Sequence, residues 1–392
     1  MASEQTPLLS QDKHSKKARR RRCRLKRPFS VAVAAAFTLC FSAVLFLRSQ
    51  RPRIPKRFTH DFGVGFDFTA SYGTAAINYA NGTNENIIKI DASPEYQKMM
   101  ARASLESSRH PHPPYTTPQQ EWSDKPRQLR RLVRKALGLP ASPEVHHLAL
   151  LLRALRTGVE QHLHRTIDGG VVTMPNLPGL HDEDLADAFA HAGLLYASAP
   201  PYRRFGYTPE TGCAYAGHGF GLCSDYADVE LCRREARGNR TAGEYVLAVA
   251  YTRGLLAVSY APEGFGFGSE DGEGATQLAE ARLGWERRRD GPGADYYYEA
   301  VRDALMAPWL RDGEHRWRPR RTGKVILHGE SVGWDARFEE VFGEVVDEIA
   351  PGAPVLAEDP VYVAARGAAY IAKVVLYYHR IKESGLHLDR QT

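Results

Sequence analysis

C-x-x-C spacing is missing from this chain, and no histidine pair sits at finger spacing behind its cysteines, so a zinc-finger reading has no support. A basic stripe is missing too. The 392 residues carry a formal charge of +6, but residues 1–57 hold fifteen Lys and Arg against two acids, Glu4 and Asp12. The remainder has 37 basic and 44 acidic residues, a net of −7, which argues against nucleic acid as a partner. No repeat of solenoid period is present. With 43% hydrophobic and 25% charged residues, the chain also lacks the composition of a disordered protein. What remains is one large domain, or two lobes sharing a core.

The segment Phe29 to Leu47 is nineteen residues without charge, glycine or proline. As a helix it would be about 28 Å long, near the thickness of a bilayer's hydrocarbon, and it would satisfy its own backbone there. A cleaved signal peptide has a shorter core nearer the N-terminus; here 28 residues precede the run, so an uncleaved anchor is expected. Ten Lys and Arg lie before the run and five between it and residue 58. The excess places the N-terminus in the cytosol and the large domain in a lumen or outside the cell. The expected layout is a basic tail (1–28), a transmembrane helix (29–47), a stalk (48–60), one large domain (61–383) and a short C-terminal tail (384–392).

Two sequons agree with that side of the membrane, Asn81-Gly82-Thr83 and Asn239-Arg240-Thr241. Cys213, Cys223 and Cys232 fall there as well, enough for one disulfide and one remaining thiol. In the tail, Glu4-Gln-Thr-Pro-Leu8-Leu9 either resembles an acidic dileucine sorting signal or is a chance match to a short pattern. As a signal it implies the Golgi, an endosome, or a vacuole or lysosome. The membrane is one expected partner and a lumenal protein another.

Within the large domain, Phe62 to Ile77 reads as β structure and residues 104–126 as a linker holding solvated His110 and His112. Apolar residues at helical spacing predict helices around Leu129 to Leu137 and from Val145 to Leu163. A strand at Gly170 to Pro175 leads to a helix over 182–195. A hairpin over 245–260 precedes helices at 275–289 and 295–310. A strand at Lys324 to Leu327 and helices over 335–349 and 361–379 complete an α/β pattern. Histidines 146, 147, 162 and 164 read as exposed helix residues, and no metal site is expected. The Glu263 to Gly268 run reads as a surface loop.

Four places carry a resemblance to one family. Gly65-Phe-Asp67-Phe-Thr69-Ala-Ser71-Tyr72 is similar to a first phosphate loop, G-I-D-x-G-T-T-Y. Val172-Thr-Met-Pro175, then His191-Ala-Gly-Leu194 and Pro209-Glu210-Thr211, are similar to V-T-V-P, A-G-L and E-P-T. Val246 to Ser259 aligns without gaps to a second phosphate loop, V-L-x-F-D-L-G-G-G-T-F-D-V-S. Val325-Ile-Leu-His-Gly329-Glu-Ser331, with Asp359-Pro360 and Gly367-Ala-Ala369, is similar to V-x-L-V-G-G-S and a terminal D-P…G-A-A helix. These resemble the nucleotide domain of heat-shock chaperone ATPases, over about Phe62 to Lys373. The resemblance implies a two-lobed actin-like ATPase (ribonuclease-H-like) fold. It makes Asp67 and Glu210 the candidate catalytic acids, with Asp67, Ser71, Gly254, Gly329 and Ser331 facing nucleotide, and it implies ATP and Mg²⁺ as cofactors. Gly367 and Ala368 suit close helix packing.

The departures from the pattern count against that cofactor. Ala250 and Ala257 stand where the family has acids, Thr69, Thr252, Arg253 and Glu330 where it has glycines, and Leu255 where it has threonine. Each charged phosphate or metal contact is worth roughly 1.5–3 kcal/mol, so losing three weakens binding by about a thousandfold to a millionfold. Hydrolysis should be lost before fold. The expectation is a membrane-tethered, catalytically impaired actin-like domain that binds or scaffolds. One rival is a weak ATP-binding protein of the same fold. The other is a type II glycosyltransferase using Asp182 and Asp184 as a D-x-D metal site, although a charged helix N-terminus also explains that pair.

Overall fold

The computed structural model describes Pro55 and residues 58–197, 208–228, 231, 234–235, 244–262, 276–288, 293–314 and 321–383. All belong to the second of two compact units, Gln50–Thr392. The 29–47 run, Glu4, Leu8, Leu9, Asn239, Cys232, the Glu263 to Gly268 run and the C-terminal tail lie outside the described residues. Among those described, no helix is long and apolar enough to cross a membrane.

The described chain forms two α/β lobes, each built on its own sheet. In the first, β1 (Gly63–Phe68), β2 (Tyr72–Asn78) and β3 (Asn84–Asp91) form an antiparallel meander. β4 (Gly169–Met174) then lies parallel to β1, with β5 (Leu195–Tyr196) and β6 (Thr208–Pro209) parallel to β4. The second lobe repeats the plan. β7 (Glu244–Tyr251), β8 (Leu256–Pro262) and β9 (Thr276–Glu280) form a meander; β10 (Arg321–His328) lies parallel to β7, and β11 (Val355–Leu356) parallel to β10. Strand orders are β3-β2-β1-β4-β5 and β9-β8-β7-β10-β11, the same path in both lobes.

Three helices fill the first crossover: α1 (Pro94–Ala103), α2 (Pro118–Ala136) and α3 (Pro143–Leu163). Each begins in the same way. Ser93, Thr117 and Ser142 accept a backbone N–H of the first turn, and a proline follows at the first helical position. α4 (Asp182–Ala192) ends at left-handed Gly193. α5 (Glu210–Gly217) closes the first lobe. The second lobe holds α6 (Ala294–Glu314), α7 (Ala336–Ile349) and α8 (Val363–Glu383).

Two expectations about elements fail. The linker read over 104–126 contains the first half of α2: Thr117 starts the helix and Pro126 sits inside it. Its histidines are half-buried, the His112 ring stacking on His181 with centroids 3.5 Å apart. The helix expected at 275–289 is instead β9 followed by two 3₁₀ turns. Five half-buried residues paired to β8 need no helical period, and the pairing partner decides the conformation.

Each lobe has its own apolar core, and a third cluster lies between the sheets. There α5 meets α8, with Val171 of the first sheet and Val246, Ala248 and Ile326 of the second. The helices cross at backbone distance. A methyl group at Gly367 would lie 1.8 Å from the Cys213 carbonyl oxygen, and one at Gly217 1.9 Å from that of Val363. The close packing expected of Gly367 is present. Gly63 and Gly65 of β1 serve the same helix, where a methyl would fall 2.0 Å from the Ala369 carbonyl oxygen and 2.1 Å from the Ala369 nitrogen. Cys213 is buried and free; Cys223 is disulfide-bonded to a sulfur outside the described residues.

Candidate functional site

The β1–β2 and β7–β8 turns, one from each lobe, face each other. Both are closed by a threonine. Thr69 donates its hydroxyl to the Tyr72 carbonyl (2.9 Å) and accepts the N–H of Tyr72 (3.0 Å) and of Ser71 (3.3 Å). Thr252 donates to the Leu255 carbonyl (2.9 Å) and accepts the Leu255 N–H (3.1 Å). These are backbone donors that a phosphate-binding loop would aim outward. The tips also come close together: a methyl on Gly254 would sit 3.3 Å from the Ala70 Cβ.

Glu330 joins the two lobes beside these tips. Gly329 makes the turn after β10 at φ 106°, with its Cα so close to β7 that a methyl would fall 2.3 Å from the Tyr251 carbonyl oxygen. Its N–H bonds Pro360 O at 2.8 Å, and that of Ser331 bonds Tyr251 O at 3.1 Å. So held, the buried Glu330 carboxylate accepts from the Ser71 hydroxyl (2.5 Å) and the Arg253 Nε (2.9 Å). Its other oxygen faces the Lys89 ammonium at 3.0 Å. Asp91 completes the group, 2.7 Å from Lys89 and 3.1 Å from Arg253. Its bond to Lys89 holds the Asp91 carboxyl below the usual range. Burial would lower the Lys89 ammonium, but its bonds to Asp91 and Glu330 outweigh that and raise it.

Behind this group lies a second, buried one. Asp67 is the last residue but one of β1, Glu210 begins α5 and His328 ends β10; all three are buried. Burial pushes the Asp67 carboxyl up to about 8. Burial, and then the charge of Asp67, pushes Glu210 well above its ordinary value. Burial holds His328 neutral, down to about 3. The 3.8 Å approach of Glu210 to His328 is therefore between two neutral groups, not an ion pair. One oxygen of each acid, Asp67 Oδ1 and Glu210 Oε1, has no hydrogen-bond partner among the described residues. Glu210 and His328 line a cavity of about 20 Å³, the size for a single water molecule. The Thr211 hydroxyl beside them bonds the Ser259 hydroxyl of the other lobe.

The structure thus brings Asp67, Ser71, Glu210, Gly254, Gly329 and Ser331 together where the lobes meet. It does not arrange them around a nucleotide. The N–H groups of Ser71, Tyr72 and Leu255 are taken up within the turns, that of Arg253 turns to Glu330 at 3.4 Å, the tips lie close together, and a carboxylate holds the Ser71 hydroxyl and the Arg253 guanidinium. Mg-ATP does not fit these residues as they stand. Ser331 is buried, with its hydroxyl unpaired among the described residues.

The role of Glu330 was not legible as a contact. The sequence marked it only as a substitution for glycine. Lys89 and Asp91 gave a faint signal, opposite charges two residues apart on one face of a strand. Elsewhere, Asp184 is buried against Arg131 at 2.5 Å and Asp182 accepts the Tyr196 hydroxyl at 2.6 Å. Asp184 also accepts the His181 N–H, capping α4. Asn81 lies exposed in the β2–β3 turn, where its side chain accepts the Thr83 N–H at 3.0 Å. No protein-family model matches the chain, and no curated protein sequence is significantly similar to it.

Proposed function

We propose that this chain is a membrane-tethered domain of the actin-like ATPase type that has lost catalysis and serves as a binding or scaffolding module. The observation that carries the reading is the Glu330 carboxylate. It lies between two matched hairpin turns and binds the hydroxyl and guanidinium that would otherwise meet phosphate. The duplicated strand order and the glycine-mediated crossing of α5 and α8 support the actin-like assignment, on the same four stretches that carry the sequence resemblance. Asp67 and Glu210 remain buried together, and burial favours their protonated forms.

Calorimetry of the full-length protein with Mg-ATP should give no saturable heat at millimolar nucleotide. Micromolar binding would overturn the loss of function and favour a weak ATPase of the same fold.

The expected membrane orientation draws support from the Cys223 disulfide, a bond favoured in oxidising compartments, and from the exposed Asn81 sequon. Protein from a secretory host should increase in mobility on glycosidase treatment, and Asn81→Gln should remove part of that shift. Protease access to the large domain from the cytosol would reverse the orientation.

A further inference from the structure

Helix α2 is built inside out. At about 100° per residue, Trp122, Leu129 and Val133 fall within about 40° of one another, with Leu132 at their edge and Arg131 on the opposite side. An ordinary amphipathic helix would turn the apolar side inward. Here only Asp124 and Arg131 are buried. Arg131 pairs with Asp184 (2.5 Å) and Asp187 (2.8 Å) of α4, and Arg127 pairs with Asp124 at 2.5 Å and with Glu183. The apolar stripe faces solvent: Trp122 is 68% exposed, Leu129 61%, Leu132 62% and Val133 50%.

We propose that this stripe docks on a lipid surface, α2 lying in the plane of the bilayer interface. Three observations select that occupant. The first is the side-chain set: tryptophan and leucines outward, with Lys125 and Arg130 exposed on either side of them, the pattern of an interfacial helix, while Lys135 turns back to Asp187 of α4 at 2.9 Å. The Lys125 ammonium stands 3.2 Å over the Trp122 ring, so charge and aromatic face are offered together.

The second is charge complementarity. Glu121, 4.0 Å from Lys125, is the one exposed acid on the helix against those two cations. A second copy meeting the stripe about a two-fold axis would bring like charges together. The four side chains also expose on the order of 400 Å², about half of what each partner in a stable dimer buries. An anionic headgroup layer suits both the charge and the size. The third is reach. Ten residues separate Leu47, where the uncharged run ends, from Phe58, where the described fold begins, so the tether spans at most about 35 Å. This third argument rests on the proposed anchor; the other two do not.

The test uses the full chain in vesicles whose acyl chains carry bromine, a contact quencher of tryptophan. All five tryptophans lie in the large domain and none in the 29–47 run, so quenching reports on that domain alone. Phosphatidylcholine vesicles containing phosphatidylserine should quench about one-fifth of the emission, Trp122 being one tryptophan of five. Trp122→Phe should lose that component, and Lys125→Glu with Arg130→Glu should reduce it. Equal quenching of wild type and Trp122→Phe would overturn the proposal, as would no quenching of a chain that resists carbonate extraction. A chain released by carbonate would refute the anchor instead, and brominated vesicles added to the released protein would then decide the docking. Self-association in vesicle-free detergent that Trp122→Phe abolishes would assign the stripe to a second copy and overturn the proposal.

Discussion

Replacing Glu330 with alanine should lower stability by about 2–4 kcal/mol and the melting temperature by about 4–8 °C. Removing one partner of a buried ion pair ordinarily costs about 3–5 kcal/mol, because the remaining charges lose their compensation. Here the survivors are Lys89 and Arg253, whose side chains are 30% and 22% exposed and can turn partly to water. That places the effect below the usual range. Glu330→Gln should cost less, since an amide oxygen still accepts from Ser71 and Arg253. The lobes should also part more readily, so hydrogen exchange in the 69–72 and 252–255 turns should speed up in the alanine variant and less in the glutamine variant. A melting temperature within about 1 °C of wild type would show that Glu330 does not hold the lobes together.

The sequence disclosed elements better than their surroundings. Val246 to Tyr251 is continuous apolar β sequence bounded by a turn, and a strand results. Leu129, Leu132 and Val133 disclosed a helix by their spacing, but not which side of it faces the body. That was decided by Asp184 and Asp187, more than fifty residues further on, whose carboxylates draw the arginine face inward. The two-lobed plan of the fold entered only through the family resemblance, for a related reason. Strand order depends on backbone pairing, and the lobes share few side chains in register. Thr69 and Thr252 are the exception, one residue type closing both turns. Asp67 and Glu210 could be paired on paper only through the family resemblance, and even that gave no warning that burial keeps them protonated. The same limit applied to Glu330: the sequence showed a glycine lost, and only the structure shows what the new carboxylate binds.

That protonation predicts a fold destabilised by mild alkali. Asp67 has a folded value of about 8 against 3.8 unfolded, and Glu210 is displaced in the same direction. A raised acid contributes stability that is complete below its unfolded value and is lost as pH rises towards its folded one. Between those limits each such proton removes about 1.4 kcal/mol per pH unit. The buried histidines act oppositely. His181 and His328 fall from 6.5 to about 3, so their contribution is complete above pH 6.5 and is lost on acidification. From pH 5 to 6.5 the gain from the histidines opposes the loss from the acids; above 6.5 the histidines are neutral in both states and only the acids remain. The nearby Tyr72, Tyr96 and Cys213 are pushed upward by burial and stay uncharged throughout. Stability should therefore level off on the acid side of pH 6.5 and fall by about 2 kcal/mol between pH 6.5 and 8 for Asp67 alone, with Glu210 adding to the decline. Thermal melts from pH 5 to 8 would measure it. Asp67→Asn should flatten the alkaline limb and raise the melting temperature at pH 8, while a wild-type slope in that variant would mean that Asp67 ionises freely in the folded protein. Greatest stability on the acid side of neutrality would make the buried pair Asp67 and Glu210 a determinant of the pH at which the domain is most stable.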